Sequence, residues 1–509
     1  MNQEKPKTLS LSPDDNVVVA LTKLAPGSKI DNEEITCRDE IPSGHKIAVR
    51  AIKAQEPIYK YGQIIGFASQ DIQPGEHVHT HNVEMHDFAR DYAIGRDTRP
   101  TDWIPEDQRA TFDGIVRPDG RVATRNYIGV LSTVNCSASA ARFISDRFGE
   151  EQLKAYPNVD GVVAITYGGG CGMPAAGEGF EMLQRTLAGY ARHPNFTGIV
   201  LVGLGCEVNY IDCLVENMGL KPGPLLRTIN IQDVGGTEAT VRSGVEAIQA
   251  ILPEADKLRR SPVPASHIVL GLECGGSDAY SGIAANPTLG AAVDLLVRHG
   301  GTAILSETPE IYGAEHLFTR RATTREVGEK LIARIRWWED YTARLGAEIN
   351  NNPTPGNKAG GLTTILEKSL GAVSKAGNTN LVEVYEYAEN AAAKGLVFMD
   401  TPGYDPPSIT GMVAGGANLV CFTTGRGSVS GFKPAPTLKL ASNTEMFQRL
   451  SNDMDINCGR VLDGEATIEE LGEALFRLIL ETASGKQTKS ESLGFGDNEF
   501  VPWQIFATV

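Results

Sequence analysis

Four cysteines in this chain each follow a short apolar run that reads as a buried β-strand. Residues 127–134 (YIGVLSTV) lead to Cys136, and residues 162–166 (VVAIT) lead through three glycines to Cys171. Residues 199–204 (IVLVGL) lead to Cys206, and residues 268–272 (IVLGL) lead to Cys274. Parallel α/β sheets bind ligands outside the carboxyl ends of their strands. Thiols delivered to that edge are soft metal donors, or nucleophiles when ionised. A free cysteine is also a good small core residue, so a packing role stands beside the chemical one at each position.

Polar side chains gather at similar places. In FDGIVRPDGRVATRNY (112–127), Arg125 and Asn126 lie just before a core strand, where arginine can grip a carboxylate through two parallel hydrogen bonds. LECGGSDAYSG (272–282) ends a strand in Glu-Cys and continues into Gly-Gly-Ser-Asp. Ser277, Asp278 and the following Asn286 suit substrate hydroxyls or a metal. NPTPGNKAGG (352–361) offers Lys358 on a loop stiffened by proline, and FTTGRG (422–427) offers Thr424 and Arg426 on a turn suited to an oxyanion. His45 and Lys46 follow a glycine turn and could move protons. In EHVHTH, His77, His79 and His81 alternate, which on a strand puts them on one face, either as a metal or acid/base cluster or as solvated side chains.

These residues need elements to position them. Residues 9–85 carry short β-forming runs (VVVAL, HKIAVRAI, IIGFAS, HVHTHNV) broken by glycine and proline turns, which predicts a small all-β module. Residues 86–112 are charged and aperiodic and read as a linker laid over the surface. From 113 to 262, and again from 263 to 509, apolar strands alternate with amphipathic helices. Each block is therefore expected to be an α/β domain, the last with a mostly parallel sheet covered on both faces. Six strands are expected there: IVLGL, GTAILSE, LVEVYEY, GLVFMD, ANLVCFTT and PTLKLA.

A net charge of −16 over 509 residues argues against a nucleic-acid partner but leaves room for a small anionic substrate. The first residues lack the apolar run of a signal sequence, and no stretch approaches the ~18 apolar residues of a membrane helix. Eight widely spaced cysteines do not make a disulfide framework. A reducing cytoplasm is the expected setting. There is no phosphate-binding GxxxxGK[ST] loop and no dinucleotide fingerprint.

The long motifs PGEHVHTHN, RPDGRVATRN, VGLGCE, LECGGSDAYSGIAANPTLG, SETPEIYGAEHL, NPTPGNKAGG, EKSLGAVSKAG and FTTGRG resemble the altronate dehydratase/galactarate dehydratase family over nearly the whole chain. The three histidines lean toward the altronate branch. The resemblance implies a β-clip (SAF-like) module, a middle dimerisation domain and a Rossmann-like metal-binding domain, with a homodimer as the assembly. It also implies ferrous iron, sometimes replaced by manganese. The candidate metal ligands are then Cys136, Cys171, Cys206, Cys274 and Glu307. The implied reaction removes water from a sugar acid to give a 2-keto-3-deoxy acid. His45 would act as base or acid with Lys46 in support, while Arg125, Lys358 and Arg426 grip the carboxylate. Galactarate dehydration, carbon–sulfur cleavage of the sulfolactate type, and a non-catalytic carbohydrate-binding scaffold are the alternatives.

Overall fold

The computed structural model describes residues 7–30, 34–86 and 88–505. The N-terminal module is built from two small antiparallel sheets. One runs in the order Thr8–Leu9, Val17–Ala20, Lys46–Ala48, His77–Val78; the other is Pro57–Lys60, Gln63–Ala68, Val83–Glu84. Val18, Leu24, Ile41 and Ile47 form a local core, but Val17, Ile58 and Ile65 belong to the same apolar cluster as the C-terminal domain. The module is thus docked, not tethered. The segment after it has little regular structure and is pinned to the C-terminal domain by Arg90 on Glu315 (2.8 Å) and Arg298 on Asp102 (2.7 Å).

The middle domain holds a four-stranded parallel sheet in the order Gly161–Ile165, Tyr127–Ser132, Phe196–Gly203, Leu226–Asn230. Its last strand, LRTIN, is half exposed and escaped the sequence reading because it lacks an apolar run. An antiparallel trio, Arg260–Pro264, Thr111–Val116 and Val122–Ala123, closes the domain.

The C-terminal sheet has seven parallel strands, ordered Leu381–Tyr385, Gly395–Met399, Thr302–Leu305, Val269–Cys274, Leu419–Thr424, Thr437–Ala441, Ile456–Asn457. The first six in that order are the six expected; the two-residue strand at the end is new. The central strands are buried along almost their whole length, as two covered faces require. Helix Ile468–Ala483 shows how one layer is built. Thr467 and Glu470 close a capping box at its start. Leu471, Leu475 and Ile479 form its buried stripe, and Gly472 allows a close approach to Ala291, where a Cβ would sit 2.5 Å from the alanine methyl. From the central strand Val269–Cys274 the chain first builds one side of the sheet, then crosses to Leu419–Thr424 on the other. The crevice between these two strands is the switch point where such sheets bind ligands.

Candidate active site

Buried ionisable groups converge on that crevice. Glu273 and Cys274 end the central strand, Glu307 and Glu310 follow the neighbouring one, and Asp405 opens helix Asp405–Ala414. Lys368 and Lys375 reach in from helix Ile365–Ala372 and the turn after it. Lys375 Nζ lies 2.9 Å from Cys274 Sγ and 3.4 Å from Glu307 Oε2. Lys368 Nζ donates to Glu310 Oε1 (2.6 Å) and Asn352 Oδ1 (2.7 Å). Glu307 is held at φ +67°, a left-handed conformation that costs a non-glycine residue about 1–3 kcal/mol and persists where its surroundings impose it.

Burial governs the protonation of these groups. It raises Glu273, with Glu307 beside it adding to the effect, and raises Glu307, with Glu310 adding. Asp405 is pushed up to about 7 by burial and by the same two glutamates. Burial acts on Glu310 too, but Lys368 and Lys375 pull it below the usual range. The Cys274 thiol is pushed up to about 12 by burial, against Lys375, so it is a thiol at neutral pH. Glu273 Oε1 and Glu307 Oε1 are buried with no hydrogen-bond partner among the described residues. Glu273, Glu307 and Asp405 bring one oxygen each within 4.8 Å of one another, as do the donors of Cys274, Glu307 and Glu310.

The β-module adds a second polar cluster across the domain boundary. Glu367, wholly buried on the same helix as Lys368, takes Lys46 Nζ at 2.8 Å on one oxygen and Lys60 Nζ at 2.9 Å on the other. Although burial opposes it, the two ammonium groups hold Glu367 far below the usual carboxylate range. Burial draws Lys46 down to about 8, while Glu367 keeps Lys60 above its ordinary value despite burial. Lys46 also donates to Gly361 O (2.7 Å), and His45 Nε2 faces Ala359 O at 3.4 Å. Gly361 is required there: its φ is +99° and a Cβ would lie 2.4 Å from Gly44 O.

The histidines are gathered differently from the strand alternation expected. The strand stops at Val78, and a turn closed by Asn82 N on His79 O follows. His45 Nδ1 lies 3.0 Å from His77 Nε2, and His45, His77 and His79 form the tight group, while His81 is exposed. Burial lowers His45, brings His77 to about 4 and brings His79 to about 3, so all three are neutral at pH 7. Between the two clusters a cavity of about 10 Å³ is lined by Tyr61, Ser277, Asp278, Glu367 and Lys368, close to the least that holds one water.

Several expected site residues serve the architecture instead. Arg125, 2 % exposed, pairs through two nitrogens with Glu491 (2.6 and 2.8 Å) and spends its other donors on the carbonyls of Thr124, Thr482 and Lys486. It has none left for a substrate. Asn126 accepts from Arg117 and donates to Asn158 O and Ala255 O; Asn286 donates to Gly371 O and accepts from Thr423. Both arms of each amide are consumed. Asp278 is buried, accepting from Ser281, Ser442 and Asn443, and a Cβ on Gly425 would strike it at 2.2 Å. Thr424 Oγ1 accepts from Gly427 N, which shapes the turn; Arg426 is exposed and Lys358 half-buried. Ser277 Oγ remains buried and unpartnered at the cavity.

The four strand-end cysteines do not meet. Cys274 belongs to the C-terminal crevice, whereas Cys136, Cys171 and Cys206 stand exposed on the middle sheet, a different sheet altogether. The sequence reading passed over Glu273, Glu310, Asp405, Lys368 and Lys375. Glu273, Glu310, Lys368 and Lys375 lie inside motifs already quoted, though none was assigned a role. Asp405 lies outside them, at the start of a helix that only the folded sheet aims inward.

A cleft of about 1300 Å³ opens between the middle and C-terminal domains, lined by Arg121, Arg192, Phe196 and Val269. It lies at the amino ends of the strands and holds none of the clustered carboxylates, so the crevice is the candidate active site.

Three family models match successive parts of the chain. Residues 265–508 match the family described as D-galactarate/Altronate dehydratase, C-terminal; residues 114–256 match D-galactarate dehydratase/Altronate hydrolase, second domain; residues 6–86 match the Altronate/galactarate dehydratase SAF domain. The chain belongs to the altronate/galactarate dehydratase family. It is 34% identical to the altronate dehydratase of Bacillus subtilis over 498 residues, 97% of each chain. It is also 34% identical to the galactarate dehydratase (L-threo-forming) of Escherichia coli, over 88% of this chain and 87% of that one. The altronate dehydratase of Escherichia coli matches at 34% over 94% and 96%. As a member of this family the protein is a hydro-lyase. No helix among the described residues is long and apolar enough to cross a membrane.

Proposed function

We propose that the protein removes water from an aldonate of the altronate type, giving a 2-keto-3-deoxy acid. One observation carries this reading: buried carboxylates, two lysines and three neutral histidines lie at the switch point of the C-terminal sheet and the β-module edge docked beside it. Dehydration of a 2,3-dihydroxy acid needs removal of a weakly acidic C2 proton, stabilisation of the resulting enediolate, and protonation of the departing 3-hydroxyl.

The family's divalent metal, Fe2+ or Mn2+, suits Glu273, Glu307 and Asp405. Two of these carry orphaned buried oxygens, and burial keeps all three carboxyls raised, a penalty that a cation in place of protons would relieve. When bound, such an ion polarises the substrate carboxylate and 2-hydroxyl. The His45–His77–His79 group is the poorer home for that cation, because Lys46 sits beside it and lowers all three histidines. The chain's own groups do the rest. Lys368 and Lys375 remain ammonium ions that favour developing negative charge. His45, neutral at pH 7 and held toward the Ala359 carbonyl, takes or returns the proton, and the Lys46–Glu367–Lys60 triad keeps it in place against the crevice. Ser277 is free to read a hydroxyl at the cavity.

The test is a panel of altronate, galactarate and sulfolactate with protein stripped of metal and reloaded with ferrous iron under a thiol. Formation of 2-keto acid from altronate, lost on chelation and restored by iron, is the expected result. Turnover of galactarate alone would move the reading to an aldarate, and release of sulfite from sulfolactate would replace it with carbon–sulfur cleavage.

A further inference from the structure

Free cysteine is among the most buried residue types, yet Cys136, Cys171 and Cys206 are all exposed, while Cys37, Cys274, Cys421 and Cys458 are buried. The three exposed thiols follow three adjacent strands of one parallel sheet, with the Cys136 strand in the middle, and they leave at its carboxyl edge. Their loops are tied to one short segment, residues 133–136. Asn135 N donates to Gly169 O (2.8 Å), two residues before Cys171, and a Cβ on Gly170 would sit 2.7 Å from Thr133 O. Thr133 Oγ1 donates to Glu207 Oε1 (2.8 Å), next to Cys206. Cys136 itself lies in the first turn of helix Asn135–Ser145. The loop bearing Cys171 has positive φ at Gly170 (+96°) and Gly172 (+63°), which turns it back over the sheet edge.

We infer that Cys136, Cys171 and Cys206 together ligate an iron–sulfur cluster at the carboxyl edge of the middle sheet, leaving one iron open to an outside ligand. The set favours a cluster over its alternatives. A disulfide would use two thiols and strand the third. A single ion needs its donors within about 4.8 Å of one another; among the described residues three sets meet that limit, and none contains these cysteines. Neighbouring parallel strands lie ~4.8 Å apart, so the outer two loops leave the sheet roughly 10 Å from each other, a span that suits a four-iron cube better than one ion. Thiolate donors suit zinc, copper(I) and iron–sulfur centres, and the wide spacing of the three loops favours the cluster among these. The inference does not rest on the dehydratase reading, because the cluster is counted without turnover.

The experiment reconstitutes the full-length protein anaerobically with ferrous iron, sulfide and a thiol, then measures iron and acid-labile sulfide per chain, visible absorption and the electron paramagnetic resonance of the reduced form. About four sulfide per chain are expected, with about four iron beyond any single ion held by Glu273, Glu307 and Asp405. Cys136→Ser, Cys171→Ser and Cys206→Ser should each lower sulfide at least tenfold, whereas Cys37→Ser and Cys213→Ser retain it. Alkylation mapped by mass spectrometry guards against a folding artefact in the variants: in wild-type protein these three thiols should be protected after reconstitution and reactive before it. Iron bound without sulfide, or sulfide retained in the three variants, or equal alkylation before and after, overturns the inference.

Discussion

Glu367→Gln is the sharpest test of how the β-module is held against the crevice. The substitution keeps the shape of the side chain and removes its charge. In the native protein one buried carboxylate is the shared counter-ion of two buried ammonium groups, Lys46 and Lys60, each 1 % exposed or less. Removing one partner of a buried ion pair costs about 3–5 kcal/mol, because the charge left behind has neither water nor a counter-ion. Lys46 can escape by losing its proton. Its value is already drawn down to about 8, so neutrality at pH 7 costs it only ~1.4 kcal/mol. Lys60 is held above its ordinary value by Glu367 and has no such escape. The penalty falls on docking of the module, and at ~1.4 kcal/mol per factor of ten it shifts the docked-to-open ratio by roughly 10²–10³-fold. Limited trypsin digestion reads this directly, since opening releases the pinned segment 88–109. Glu367→Gln should be cut there far faster than wild type. Lys60→Met combined with Glu367→Gln should recover much of the resistance, leaving only the lysine that can shed its proton. Equal digestion of wild type and Glu367→Gln, with unchanged urea unfolding, would refute the account of a charge-compensated docking triad.

Two further predictions follow from the same groups. In metal-free protein Asp405, raised to about 7 from an ordinary value near 3.8, makes the folded state bind the proton more tightly than the unfolded one. Its favourable contribution is complete below the unfolded value and disappears as pH rises from about 4 through 7; Asp405→Asn should therefore stabilise the metal-free protein at pH 8 by about 1–3 kcal/mol and do little at pH 4, read by denaturant unfolding, and a gain of equal size at both pH values would count against a buried, raised carboxyl. His45→Ala should lower turnover roughly 10²–10⁴-fold with ordinary melting behaviour, and an unchanged rate would reduce the module to a scaffold.

The elements were legible wherever one pattern dominated. The strands IVLGL, ANLVCFTT and PTLKLA announced themselves because strands covered on both faces read as continuous apolar runs. Leu226–Asn230 and Ile456–Asn457, edge strands with mixed burial, left no such trace. The chemical motifs were legible as well: LECGGSD and SETPEIYG hold Glu273, Glu307 and Glu310 of the crevice, and EHVHTH holds two of the three clustered histidines. Partnership was not. Arg125 beside a strand start looks the same in sequence whether it meets a substrate or Glu491, 366 residues onward. His45 and His77 are 32 residues apart and touch because two antiparallel strands pair in one register, Ile47 opposite His77.

The sequence by itself pointed to the family, an α/β fold behind an N-terminal SAF module, the hydro-lyase class and the strand-end positions of Cys136, Cys171, Cys206 and Cys274, because these depend on local pattern and on long motifs. Tertiary structure decided which of those residues share a site. It separated Cys274 from the other three thiols by placing them on different sheets, spent Arg125, Asn126 and Asn286 on the architecture, and brought Lys46 and Lys60 onto a single glutamate of another domain. The physical reason is that a buried charge is tolerable only with its partner in place. Which partner it finds is set by strand order, register and domain docking, which no short stretch of sequence carries.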